Sequence, residues 1–254
     1  MSSAATGLLI SALLIIMPAH ALELRSDKDA ATTIELYTSE GCSSCPNADA
    51  WLSSLSDDPA IFSRIIPLAF HVDYWNQLGW VDRFSASIFS ERQRQLSRAG
   101  LVSQVYTPGF LVNNREWRGW FNGGQSVTAE QLPRSNKQVG VLAAQWLKNV
   151  DTLALSFTPA ADDHGDLKVH IAILGMGLET KVLDGENSGR VLRHDFVVLS
   201  HHQYPFGSDK AGKTIIKRVA GPKIPAKGQK KSALVVWISN AESPAILQAA
   251  AAYL

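Results

Sequence analysis

The chain holds two cysteines in 254 residues, and they stand three apart in Gly41-Cys42-Ser43-Ser44-Cys45-Pro46. Two thiols exclude a disulfide-dense scaffold and a four-thiolate zinc site, leaving one bridge or one redox pair. The flanking residues narrow the choice. Thr32 to Thr38 (TTIELYT) is β-branched and aromatic and reads as a strand. Pro46 to Leu55 (PNADAWLSSL) reads as a helix, with Trp51, Leu52 and Leu55 on one face and Pro46 in the first turn, where its missing N–H costs little. Three-residue spacing where a strand turns into a helix brings two sulfurs within bonding distance. It is expected to expose the first sulfur and bury the second, with the helix N-terminus lowering the pKa of the exposed thiol. Cys42 is then the nucleophile and Cys45 the resolving thiol, in a two-electron exchange that calls for no cofactor and no metal.

Composition sets the surroundings of that pair. Residues Gly7 to Met17 are an apolar run followed by Pro18 and Ala19-His20-Ala21, a small-x-small site. The pattern is that of a signal peptide over residues 1–21, cleaved after Ala21, so a periplasmic or secreted protein in an oxidising compartment is expected. The run falls short of the roughly 20 apolar residues of a membrane helix, and no later stretch reaches that length, so no integral span is expected in the mature form. Lys+Arg 24 against Asp+Glu 23 leaves a net charge of +1, without the broad basic footprint of a nucleic-acid-binding protein. Eight Lys/Arg between Lys210 and Lys231 read as a solvated basic hairpin.

Further along, Ile65 to Val72 (IIPLAFHV) is nearly continuous in apolar residues and reads as a central strand buried on both faces. Arg83 to Ala99 predicts an amphipathic helix within an insertion near residues 75–100. Val105 to Asn113 reads as a strand entered through Thr107-Pro108, Asn113-Asn114 as a hairpin turn, Glu116 to Phe121 as the returning strand, and 128–147 as a closing helix. From Asp151 the period becomes two. LALSFT, LKVHIAIL, RVLRHDFVVL, KTIIKRV and ALVVWIS read as five short strands. The adjacent pair His201-His202 points to opposite faces of its strand and so does not chelate one ion.

The order of strand, cysteine loop, helix and Thr107-Pro108 strand entry resembles the thioredoxin fold. The blocks ELYTSEGCSSCP, HVDYW, YTP and LRHDFVV are together similar to a bacterial family of secreted thioredoxin-like proteins that carries only a domain-of-unknown-function label. The resemblance implies an α/β thioredoxin-like domain over residues 22–148, a mixed central sheet with flanking helices. An antiparallel β-rich, sandwich-like domain over residues 149–254 is expected to follow it. It also implies a cis peptide at Thr107-Pro108 facing the cysteines across a groove, with the Thr107 backbone pairing an extended substrate. Glu35 would assist proton removal from Cys45, and the Ser43 and Ser44 hydroxyls would donate to Cys42. His71, Asp73 and Trp75 are candidates for the substrate groove. The activity implied is thiol–disulfide oxidoreduction through Cys42 and Cys45. Its partner would be a thiol- or disulfide-containing protein, a small thiol or an envelope redox partner. The alternative is a binding module of the cell envelope that contacts a protein or a soft metal such as copper, through the cysteines and His71, without turnover.

Overall fold

The structure is a computed structural model that describes residues 21–160, 165–208, 210 and 212–254, with only the backbone of Gln125. The expected leader falls outside the described residues except for Ala21, which opens strand β1 (Ala21–Arg25). Strand β2 (Thr32–Thr38) runs into the cysteine loop, followed by helix α1 (Cys45–Ser54) and strand β3 (Ile65–His71). Every residue of β2 and β3 is buried, so both faces of the sheet are covered there, as the nearly continuous apolar run of β3 implies. Helix α2 (Ser87–Arg98) starts four residues later than the sequence suggests. Strands β4 (Gly109–Val112) and β5 (Arg115–Glu116) form a hairpin through Asn113 and Asn114, whose φ values of 51° and 63° are both left-handed, as a two-residue I′ turn requires. A short helix α3 (Gly119–Gly123) follows.

Residues 128–147 are not a closing helix. Their second half is strand β6 (Gly140–Leu147), in which Leu142, Ala144 and Trp146 turn inward and their neighbours outward. The Ala-Ala pair hides this alternation behind a helix-forming composition; burial on one face decides the matter. The rest is β7 (Thr152–Pro159), β8 (Asp166–Met176), β9 (Leu178–Lys181), β10 (Val191–His194), β11 (Val197–Ser208), β12 (Ile215–Ala220), β13 (Lys231–Asn240) and β14 (Ile246–Tyr253). RVLRHDFVVL is thus two strands. They break at Asp195-Phe196, where Phe196 takes a left-handed φ of 59° while its ring is fully buried.

The expected architecture is corrected at this point. Strands take 44% of the structure and helices 17%, and one eight-stranded sheet of order β14-β13-β8-β11-β3-β2-β4-β5 unites strands from both sides of residue 148. The chain is therefore not a helix-flanked thioredoxin α/β domain followed by a separate sandwich. The free edge of β3 accepts β11 in parallel at Ala69↔Val197, and β8, β13 and β14 extend the sheet antiparallel from there. A second sheet, β1-β6-β7-β12, covers part of it. Leu142, Trp146, Leu155 and Phe157 of that sheet share a core with Ile171, Ile173, Leu234 and Val236 of the large one. The other core gathers α1, α2 and the β2–β3–β4 strands around Trp51, Phe70 and Phe110. Trp51 packs edge-on against Phe110 and donates its indole N–H to the Val127 carbonyl. Among the described residues no helix is long and apolar enough to cross a membrane.

Candidate functional site

The two parallel strands end side by side, Thr38 opposite His71, and ligand sites of open sheets with parallel strands gather at such carboxyl ends. From Thr38 the chain continues through Ser39, Glu40 and Gly41 to Cys42 and into α1. Pro46 lies in the first helical turn and Ser44 at the N-cap, which makes no side-chain cap. Cys42 and Cys45 are joined as a disulfide, with Cα atoms 5.4 Å apart. Ser43 and Ser44 are exposed, and the Ser44 hydroxyl lies 3.4 Å from Cys42 Sγ.

Cys42 itself is only 2% exposed, against the expectation of an open first sulfur, and Cys45 is wholly buried. The cover comes from two places. Trp75 packs against the Gly41 backbone so closely that a side chain at Gly41 would touch it. Its indole N–H donates to Thr107 Oγ1 at 2.8 Å. The loop between β9 and β10 supplies the rest: Asn187 Nδ2 donates to the carbonyls of Glu40 and Cys42, and the Ser43 N–H donates to Glu186. Hydrogen bonds from Ser43 hold the Glu186 carboxyl below its ordinary pKa. The Thr107-Pro108 peptide is cis, and Trp75 links it to the cysteine loop.

Glu35 stands elsewhere. Side chains alternate along β2, so Thr38 faces α1, where its hydroxyl donates to Asp49 Oδ2, whereas Glu35 and Tyr37 face the opposite side. There Glu35 Oε2 accepts from Tyr37 Oη and from Arg92 Nε, and lies 2.8 Å from Arg92 Nη2. The structure therefore does not bring Glu35 to Cys45. Asp73 accepts a hydrogen bond from the Ser90 hydroxyl and so fastens the loop after β3 to α2.

His71 lies in a buried polar cluster that sequence reasoning did not assemble. Its Nδ1 is 2.6 Å from Asp82 Oδ2. Burial opposes its charge, but the Asp82 carboxylate outweighs this, and the His71 pKa rises to about 9. The same contact outweighs burial at Asp82 and holds that carboxyl low. His194, at the end of β10, presents Nε2 to Glu40 Oε1 at 3.3 Å and Nδ1 to Asp49 Oδ2 at 3.8 Å. Burial raises the Asp49 pKa against the opposing pull of His194 and His71. Trp80 donates its indole N–H to Glu40, and the Glu40 N–H donates to Asp82. Asp49 lies one helical turn beyond Cys45, so this cluster sits against the helix that carries the disulfide. The signal for it was an acid within the apolar face of α1 and two histidines at strand ends. Among the described residues, the donor atoms found within 4.8 Å of one another belong to Asp49, His71 and His194, and not to a Cys2His set.

A family model described as a protein of unknown function, DUF1223, matches residues 33–239. Protein AGR_C_4864 from Agrobacterium tumefaciens superposes with a TM-score of 0.58 at 24% identity, covering 88% of this chain and 94% of that one. HBP35 of Porphyromonas gingivalis superposes with a TM-score of 0.53 at 15% identity, covering 90% of this chain and 76% of that one. At these identities the likeness concerns the fold alone. No curated protein matches the chain.

Proposed function

The chain belongs to the DUF1223 family, and for this member we propose thiol–disulfide exchange through Cys42 and Cys45, carried out after export. The observation that carries the reading is the Cys42–Cys45 bond at the start of α1, beside exposed Ser43 and Ser44. A partner thiolate attacks Cys42 Sγ, the Cys42–Cys45 bond breaks, and Cys45 leaves as a thiolate that takes up a proton. A second partner thiol resolves the mixed disulfide, so the partner loses two electrons as a disulfide and the protein gains them as two thiols. The reverse sequence oxidises the protein and reduces the partner. Partners of this chemistry are a dithiol or disulfide protein and a small thiol such as glutathione.

The cover over Cys42 supports a requirement for displacement of the 185–187 loop before attack. The same cover favours a second reading, a locked bridge in a binding module, and one measurement separates the two. Equilibration of the mature protein with glutathione buffers, with Cys42→Ser as control, is expected to give a potential of roughly −270 to −120 mV, the range of working dithiol exchangers. A value below about −300 mV, or no exchange, favours the locked bridge.

A further inference from the structure

Asp49, His71 and His194 come from α1, β3 and β10, three elements far apart in sequence, and meet where all three side chains are at least nine-tenths buried. A carboxylate stands behind each imidazole, hydrogen-bonded to His71 and at ion-pair distance from His194. The Asp82 contact takes His71 Nδ1, and His71 Nε2 is left buried with no hydrogen-bond partner among the described residues. Glu40 Oε1 stands 3.3 Å from His194 Nε2 without a hydrogen bond between them, and His194 Nδ1, likewise unpartnered, turns toward Asp49 Oδ2 at 3.8 Å, too long for a hydrogen bond. Buried ring nitrogens almost always find partners. Buried ring nitrogens without partners, converging on the Asp49 carboxylate whose Oδ2 accepts the Thr38 hydroxyl, point to a ligand.

We propose that Asp49, His71 and His194 bind one divalent first-row transition-metal ion, with zinc as its representative. Imidazole nitrogens suit zinc, iron, copper and nickel, and two of them with one carboxylate form a recurrent donor set for such ions. Asp82 completes the arrangement as the outer carboxylate that orients a ligating histidine, and Glu40 stands 3.3 Å from the other. The donor atoms lie within 4.8 Å of one another, against roughly 3.3 Å between the ligand atoms of a tetrahedral zinc site built with 2.0–2.1 Å bonds. The donor atoms therefore close by at most about 1.5 Å around the ion, and His194 Nδ1 and Asp49 Oδ2, 3.8 Å apart, by about half an ångström. The acids also outnumber the imidazoles, three against two, in a space shut off from water, so a dication meets its charge there. Closed and fully buried, the site acts as a fastener that ties the helix carrying the disulfide to the sheet. It does not rest on the disulfide being exchanged.

The test uses the mature full-length chain with its disulfide intact, stripped by chelator and titrated with Zn²⁺ and Co²⁺. The expected result is about one ion per chain, a raised thermal midpoint with Zn²⁺, and Co²⁺ ligand-field bands without thiolate charge transfer. Asp82→Asn is expected to weaken Zn²⁺ binding about 10–100-fold. His194→Gln is expected to abolish it, and the Cys42→Ser/Cys45→Ser pair to leave it unchanged. Absence of saturable binding to the wild-type protein overturns the proposal, and so do thiolate bands or binding that disappears with the cysteines. The wild-type titration decides the matter even where a variant fails to fold.

Discussion

Asn187 Nδ2 lies 3.0 Å from the Cys42 carbonyl, a contact that spans 145 residues of sequence. The same amide group donates to the Glu40 carbonyl, and Arg190 holds its Oδ1 from behind. One side chain therefore pins the β9–β10 loop onto the backbone of the cysteine loop. Asn187→Ala removes both bonds, with an expected stability loss of about 1–3 kcal/mol. It is also expected to speed reduction of the disulfide by dithiothreitol several-fold, followed by alkylation and mass measurement. An unchanged rate would show that the loop does not limit access to Cys42.

The buried pair of Glu35 and Arg92 gives a prediction about stability alone. Arg92→Met leaves the Glu35 carboxylate in a dry interior with only Tyr37 as partner, and is expected to cost about 3–5 kcal/mol in denaturant unfolding. Glu35→Leu combined with Arg92→Met removes both charges and is expected to recover part of that loss. Neither change is expected to move the potential of the cysteine pair, because β2 directs Glu35 away from α1.

A pH dependence follows from the stacked rings of His170, His201 and Trp237. Burial, aided by Arg92, lowers the His201 pKa to about 3, and burial with His201, Arg92 and Lys168 lowers that of His170 well below its ordinary value. His202 adds to the shift at His201, while Glu91 and Glu242 line the same cavity. The native state thus binds fewer protons than the unfolded chain below the free-histidine pKa, and stability falls on acidification from about pH 6.5 toward 3. Between pH 6.5 and 5 the His201 contribution is on the order of 1–2 kcal/mol. Urea midpoints measured across this range for the wild type and His201→Phe are expected to converge as the pH is raised.

Asn114 supplies a test in which local preference and long-range pairing oppose each other. Glycine suits its left-handed φ of 63° better than asparagine does. Yet Asn114 Nδ2 donates to the Ile246 carbonyl and its Oδ1 accepts the Ile246 N–H, so one amide side chain mimics a strand partner for the start of β14. Asn114→Gly is therefore expected to destabilise by about 1–3 kcal/mol despite the easier turn. Thermal unfolding reads this directly, and a rise in midpoint would contradict it.

Local order was legible in the sequence, and assembly was not. TTIELYT, CSSCP, IIPLAFH and the Asn-Asn hairpin declare their elements through β-branching, proline placement and turn chemistry, and each element stands within a few residues of where those cues put it. ILQAAAAY of β14 and VLAAQWL of β6 did not declare themselves, because alanine favours helices and only burial, on one face of β6 and on both faces of β14, makes them strands. The joining of β3 to β11 rests on a single bridge, Ala69↔Val197, and on the Ala69 N–H donating to the Phe196 carbonyl, a long-range pairing that no local pattern encodes. The candidate site divides in the same way. The cysteines are legible from their spacing. Asp49, Asp82, Asn187 and His194 belong to the site through topology, and each alone reads as an ordinary polar residue.

The parallel seam between β3 and β11 also separates what is local from what is distant in this site. Ala69 cannot meet Val197, nor Asn187 reach Cys42, until nearly four-fifths of the chain is available to fold, and loops of that span close slowly. The cysteines, by contrast, can meet as soon as their own turn forms. The pairing of the two cysteines is thus a local matter and the enclosure of their bond a long-range one: what closes over Cys42 is encoded some 145 residues further along the chain.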